Sequence, residues 1–100
     1  MNISDWRRRM DEIDKKLVDL LNERCKCALE IGHIKHESKI PLYQPDREKQ
    51  VLANAETNNQ GPLSHAAIRR LFERIIDEAR SAERIAMYGE SSTTDDQDPK

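Results

Sequence analysis

The chain has 100 residues, of which 36 % are apolar, 36 % charged and only 4 % aromatic, with 3 Gly and 4 Pro. That composition allows one domain with a thin core; it excludes a loop-rich sandwich or disulfide knot and, at a mean hydropathy of −0.91, a membrane span. The net charge of −2 hides a split: residues 90–100 hold four acids and one base, so the rest is near neutral and lacks the basic face that bulk nucleic-acid binding needs.

The N-terminal segment MNISDWRRRM has no apolar stretch of the kind that directs secretion, which points to a cytoplasmic chain. Ser4 is a fitting N-cap for a first helix, with Asp5 in its first turn favoured by the helix dipole. Apolar residues then recur at Met10, Ile13, Leu17, Leu20, Cys27, Ile31 and Ile34, a heptad seam widened by Leu21 and Ala28. Nothing breaks the pattern before Ile40-Pro41, which predicts a helix of about 35 residues, roughly 50 Å long. A compact 100-residue monomer is only roughly 35 Å across, so this helix overhangs its own domain. Its apolar seam calls for a second chain, and an intertwined homodimer would supply one. Gly32 within the helix costs about 1 kcal/mol in propensity and is expected where another helix comes close.

Cys25 and Cys27 lie about 200° apart on this helix, which argues for two separate reduced thiols rather than a bridge or a shared metal. His33 and His36, with Glu30 or Glu37, have no convincing further ligands, so no metal is expected and the histidines should face solvent. Arg7-Arg8-Arg9 reads on charge alone as a solvated turn.

Residues 41–45 form a short connector. Gln44 is a weak cap and Pro45 suits the first position of a second helix, which runs to about Thr57 with Val51, Leu52 and Ala55 on its apolar face. The run Asn58-Asn59-Gln60-Gly61-Pro62 breaks it. Ser64 caps a third helix with apolar positions at Ile68, Leu71, Phe72, Ile75, Ile76, Ala79, Ala82 and Ala86, ending near Gly89. The expected fold is therefore all-α: a three-helix protomer over residues 1–89, followed by a disordered acidic tail at 90–100.

Charges interrupt the apolar stripes. Arg24 occupies the seam of the first helix, and Lys35, eleven residues on, points within roughly 20° of it. Glu83 lies on the Phe72/Ile76 stripe of the third helix, and Arg47-Glu48 open the second. A buried unpaired charge is expensive, so two readings stand. Arg24 and Glu83 form an internal ion pair that fixes register, or Arg24, Lys35 and Arg47 converge on a cavity for a small polycarboxylate, which Arg recognises well. The sequence offers no Ser/His/Asp set, phosphate loop or metal cluster, so an enzyme built this way would work by orientation and electrostatics, without cofactor.

The ordered set Arg7-x-x-Met10-Asp11-x-Ile13-Asp14 … Leu20-Leu21-x-x-Arg24, Ile31-Gly32-x-Ile34-Lys35, Pro41-x-x-x-x-Asp46-Arg47-Glu48 and Gly61-Pro62-Leu63-Ser64 … Leu71-Phe72-x-x-Ile75-Ile76 resembles the all-helical class of chorismate mutase. The resemblance covers residues 6 to about 86. It implies a dimer formed through the first helix, with two active sites that convert chorismate to prephenate on the route to phenylalanine and tyrosine. By the same resemblance Arg24 and Arg47 would bind substrate carboxylates, with Arg7 reaching in from the other subunit. Lys35 would contact a carboxylate and the ether oxygen, Glu48 the ring hydroxyl, and Glu83 the ether oxygen opposite Lys35. Gln44 lies where some members place Asp at the hydroxyl, Glu83 where some have Gln, and Ala79 where some have Ser. Two rivals are an isochorismate pyruvate lyase of the same fold and a non-catalytic dimeric helical module.

Overall fold

Three helices and no strand make up the computed structural model, which describes residues 1–89; the expected acidic tail lies outside the described residues. Helix α1 spans Ile3–Glu37. Its cap, Asn2, lies two residues before the expected Ser4. Asn2 Oδ1 accepts from the Asp5 backbone N–H at 2.9 Å, while the Asn2 N–H donates to Asp5 Oδ2 at 3.2 Å. This reciprocal box satisfies two backbone donors, where Ser4 would have satisfied one, and it moves the start to Asn2. At the other end Lys39 adopts a left-handed φ of 59°, and the Ile40 N–H returns to the Lys35 carbonyl at 2.8 Å. The chain is thereby turned out of the helix before Pro41.

Helix α2 spans Pro45–Asn58 with Pro45 at its first position; Gln44 precedes it without a side-chain cap. The turn that follows is organised by Asn59, whose Nδ2 donates to the Leu63 carbonyl at 2.8 Å and whose Oδ1 accepts from the Gly61 N–H at 3.0 Å. Helix α3 spans His65–Tyr88. Ser64 Oγ accepts from the Ala67 N–H at 3.0 Å, and Gly89, at φ 64°, closes the C-terminus by donating to the Ile85 carbonyl.

Helix α3 packs against both α1 and α2, whereas α1 and α2 do not pack on each other. Gly32 marks a close approach of α1 to α3: a Cβ at that position would lie 3.2 Å from Glu83 Cγ. The core is thin. Leu52 is the one large apolar side chain that is buried among the described residues. The seam residues Met10, Ile13, Leu17, Leu20, Ile31 and Ile34 are 43–60 % exposed in the protomer, and Trp6 and Val18 add to the same open surface. The molecule measures 53 × 34 × 21 Å, the long axis being that of α1.

No helix among the described residues is long and apolar enough to cross a membrane. Cys25 and Cys27 are both free. His33 and His36 are exposed, as expected, and His36 also meets the Tyr88 ring edge-on with centroids 5.1 Å apart, tying the C-terminal ends of α1 and α3 together.

Candidate active site

Because α1 and α2 stand apart, α3 forms the floor of a gap between them. There, a cavity of about 500 Å³ gathers Arg24, Lys35, Gln44, Arg47, Glu48 and Glu83, six of the seven site residues expected from sequence. Each is delivered by an element already described. Arg24 and Lys35 share one face of α1, Gln44 ends the connector, Arg47 and Glu48 occupy the first turn of α2, and Glu83 rises from α3 opposite Gly32. Arg7, the seventh, does not line this cavity. It lies seventeen residues before Arg24 on one continuous helix, about 25 Å away along its axis.

Of the two readings of the buried charges, the internal ion pair does not form. Among the described residues no ion pair joins Arg24 to Glu83. Arg24 instead faces the cavity, half-buried, and the exposed Arg47, also at the cavity, donates to Gln50 Oε1. Lys35 Nζ donates to the Leu42 carbonyl at 3.1 Å, which pins the connector beside α1 and fixes the ammonium at the cavity wall. Gln44 Nε2 turns back towards the Pro41 carbonyl at 3.4 Å, so its amide is partly engaged within the connector.

Glu83 is only 8 % exposed. Burial strips water from its carboxyl and pushes its pKa up; Lys35, Arg80 and Arg24 pull the other way, and the negative charge of Glu48 adds a little to the rise. Desolvation wins because none of the three cations forms a direct ion pair with Glu83 among the described residues. A carboxyl held in its acid form can donate a hydrogen bond, which an ionised one cannot.

Sequence reasoning missed Arg80. It stands three residues before Glu83 and four after Ile76, one step off the stripe that the apolar pattern follows. Its Nη1 pairs with Glu48 Oε2 across the α2–α3 contact, its Nη2 donates to Asp77 Oδ1 at 3.1 Å, and its guanidinium carbon lies 4.9 Å from the centre of the Tyr43 ring. With it, four cations face two carboxylates in one cavity. With Arg80 paired to Glu48, Arg24, Lys35 and Arg47 remain against a carboxyl whose ionisation burial disfavours. Such a site attracts a small dianion and can fix two carboxylates in different places. A second, more open cavity of about 450 Å³ is also lined by Arg24 and Arg47, with Asn54, Asn58, Gln60 and Phe72 among others. The two arginines thus border both spaces.

Residues 6–84 match the family model described as chorismate mutase type II. The chain is 34 % identical over 93 residues to the bifunctional chorismate mutase/prephenate dehydratase of Stutzerimonas stutzeri, covering 85 % of this chain and 26 % of that protein. It is 36 % identical over 74 residues to the 4-amino-4-deoxychorismate mutase of Streptomyces pristinaespiralis, covering 72 % and 57 % respectively. Among solved structures, chorismate mutase (form II) from Thermus thermophilus superposes with a TM-score of 0.80 at 33 % identity, covering 82 % of this chain and 93 % of that one. The chain spans about a quarter of the length of the bifunctional relatives it matches.

Proposed function

The chain belongs to the chorismate mutase type II family, and on that premise we propose that it rearranges chorismate to prephenate, a step towards phenylalanine and tyrosine. The observation that carries this reading is the meeting, in one cavity, of a desolvated carboxyl with three cations outside any ion pair among the described residues. The reaction breaks a C–O bond and makes a C–C bond within one molecule, so it needs no nucleophile. It needs the two reacting ends held together and the charge that grows on the ether oxygen stabilised.

Arg24 and Arg47 are positioned to take the substrate carboxylates, selecting the folded conformer from which bond formation is direct. Lys35 meets the ether oxygen as its bond stretches; because negative charge develops there, a fixed ammonium stabilises the transition state more than the ground state. Glu83, when protonated, donates to the same oxygen from the opposite side, and burial favours that form. Glu48 accepts from the ring hydroxyl, with Gln44 close by.

The active form is a homodimer that buries the exposed seam of α1 and brings Arg7 of the partner subunit to the open side of the cavity. What supports this is the length of α1, the row of half-exposed Met, Ile and Leu along it, and a cavity that the protomer alone leaves open. Two free thiols on α1 fit a cytoplasmic enzyme.

Incubating the purified protein with chorismate tests the assignment. Chorismate should disappear as prephenate forms, read as phenylpyruvate after acid treatment; unchanged chorismate would overturn it. Salicylate from isochorismate, without prephenate from chorismate, would identify the lyase. Failure of a bicyclic dicarboxylate transition-state analogue to bind in calorimetry would point instead to a non-catalytic module.

A further inference from the structure

Arg80 is held on three sides. One nitrogen pairs with Glu48, another with Asp77, and Tyr43 lies beneath the guanidinium plane. Its side chain is 24 % exposed and that of Glu48 27 %, so both are largely shielded from water and their mutual field is not washed out. An arginine fixed in this way is not free to follow an arriving carboxylate, and Arg24, Lys35 and Arg47 already supply that function. Its effect falls on Glu48. Arg80 occupies Oε2, which leaves Oε1 as the oxygen available to a guest, and it cancels the charge that Glu48 would otherwise present. A carboxylate with its charge cancelled remains a good acceptor for a neutral O–H donor but a poor attractor of a cation.

Resting on the mutase reading above, in which Glu48 contacts the ring hydroxyl, we propose that Arg80 positions Glu48 and makes the site select a neutral hydroxyl over an ammonium at that ring position. Arg80 acts through Glu48 and is a positioning and specificity residue rather than a catalytic one. The same chemistry predicts how the preference is reversed. With Arg80 neutralised, Glu48 loses its direct cationic partner, and a ring amine, protonated at neutral pH, becomes its better partner.

The experiment measures kcat and KM of the wild-type chain and of Arg80→Met, Arg80→Gln and Arg80→Lys with chorismate and with 4-amino-4-deoxychorismate, melting curves being recorded alongside. Arg80→Met should lower kcat/KM for chorismate by about tenfold or more, the scale of losing one charge-assisted contact. The amine should lose less or gain, moving the amine-to-hydroxyl ratio by at least about tenfold. Arg80→Gln keeps a donor to Glu48 without the charge, so it should shift the ratio while costing less rate. Arg80→Lys should hold the ratio within about threefold of wild type, because the charge survives. In a Glu48→Gln background Arg80→Met should move the ratio by less than about twofold, as expected when both residues act through one contact. If Arg80→Met does not fold, Arg80→Gln carries the test. An unchanged ratio in the folded variants of an active enzyme would overturn the role of Arg80 alone. A wild-type chain that turns over neither compound would overturn the mutase reading and this inference with it.

Discussion

Replacing Glu83 by Gln isolates the one proton on which the proposed chemistry depends. In the wild type the carboxyl is a donor only while protonated, and its burial raises the pH at which the proton leaves. Activity should therefore be flat at low pH and fall on the alkaline side, approaching one decade per pH unit, as the donor becomes an acceptor facing the developing oxyanion. The size of the fall is that of losing one preorganised donor, roughly 10²- to 10³-fold in kcat. The amide of the Glu83→Gln variant presents an N–H donor at every pH, in nearly the same volume, against the same Gly32 backbone. The variant should keep its rate where the wild type loses it, with the alkaline limb shifted or abolished. Stability should move in a linked way. A carboxyl whose folded pKa is raised contributes fully below its unfolded pKa, and that contribution is lost as pH rises through the folded value. Glu83→Gln should thus melt higher than wild type near neutral pH, the gap closing in acid. A pH–rate profile and a pH series of melting curves read both effects. If the variant keeps the wild-type alkaline limb, Glu83 is not the donor.

Lys35→Ala should lower kcat by roughly 10²-fold or more while raising KM less, because its ammonium acts on charge that exists only in the transition state; it should also loosen the connector, seen as faster amide exchange near Leu42. Arg7→Ala and Arg24→Ala should each be nearly inactive, yet a refolded one-to-one mixture should recover about a quarter of the wild-type sites, since half of the dimers formed pair one intact Arg24 with one intact Arg7. No recovery would argue against a shared site. In Gly32→Ala, the added Cβ would sit 3.2 Å from Glu83 Cγ and push that side chain by a few tenths of an ångström. Helix propensity improves by about 1 kcal/mol, so the melting temperature should change little while kcat falls; an unchanged kcat would show that the position of Glu83 is not critical.

The long helix, its seam, the two breakers and the caps at Ser64 and Gly89 were legible because each follows from local chemistry that tertiary packing reinforces. Gly32 was legible for the opposite reason: a residue that weakens a helix has to answer to something outside it, and Glu83 is what it meets. The start of α1 was misplaced because Ser4 and Asn2 are both good caps, and only Asn2 has an Asp three residues on that returns a bond. Stripe reading found Glu83 but passed over Arg80, whose long side chain reaches the cavity from the flank of the stripe. Lys35 on the Leu42 carbonyl and Gln44 on the Pro41 carbonyl depend on the path of the connector backbone, which residue types alone do not specify.

That α1 and α2 touch α3 but not each other gives a guest a mechanical part to play. In the protomer alone, the Lys35–Leu42 contact and the shared helix α3 relate the two walls. A dianion gripped by Arg24 on one side and Arg47 on the other would act as a strut across the gap, completing a triangle of which the fold supplies two sides. Occupancy then contributes to the rigidity of the whole bundle, and ligand affinity becomes readable as resistance to heat, rising by RT ln(1 + [L]/Kd).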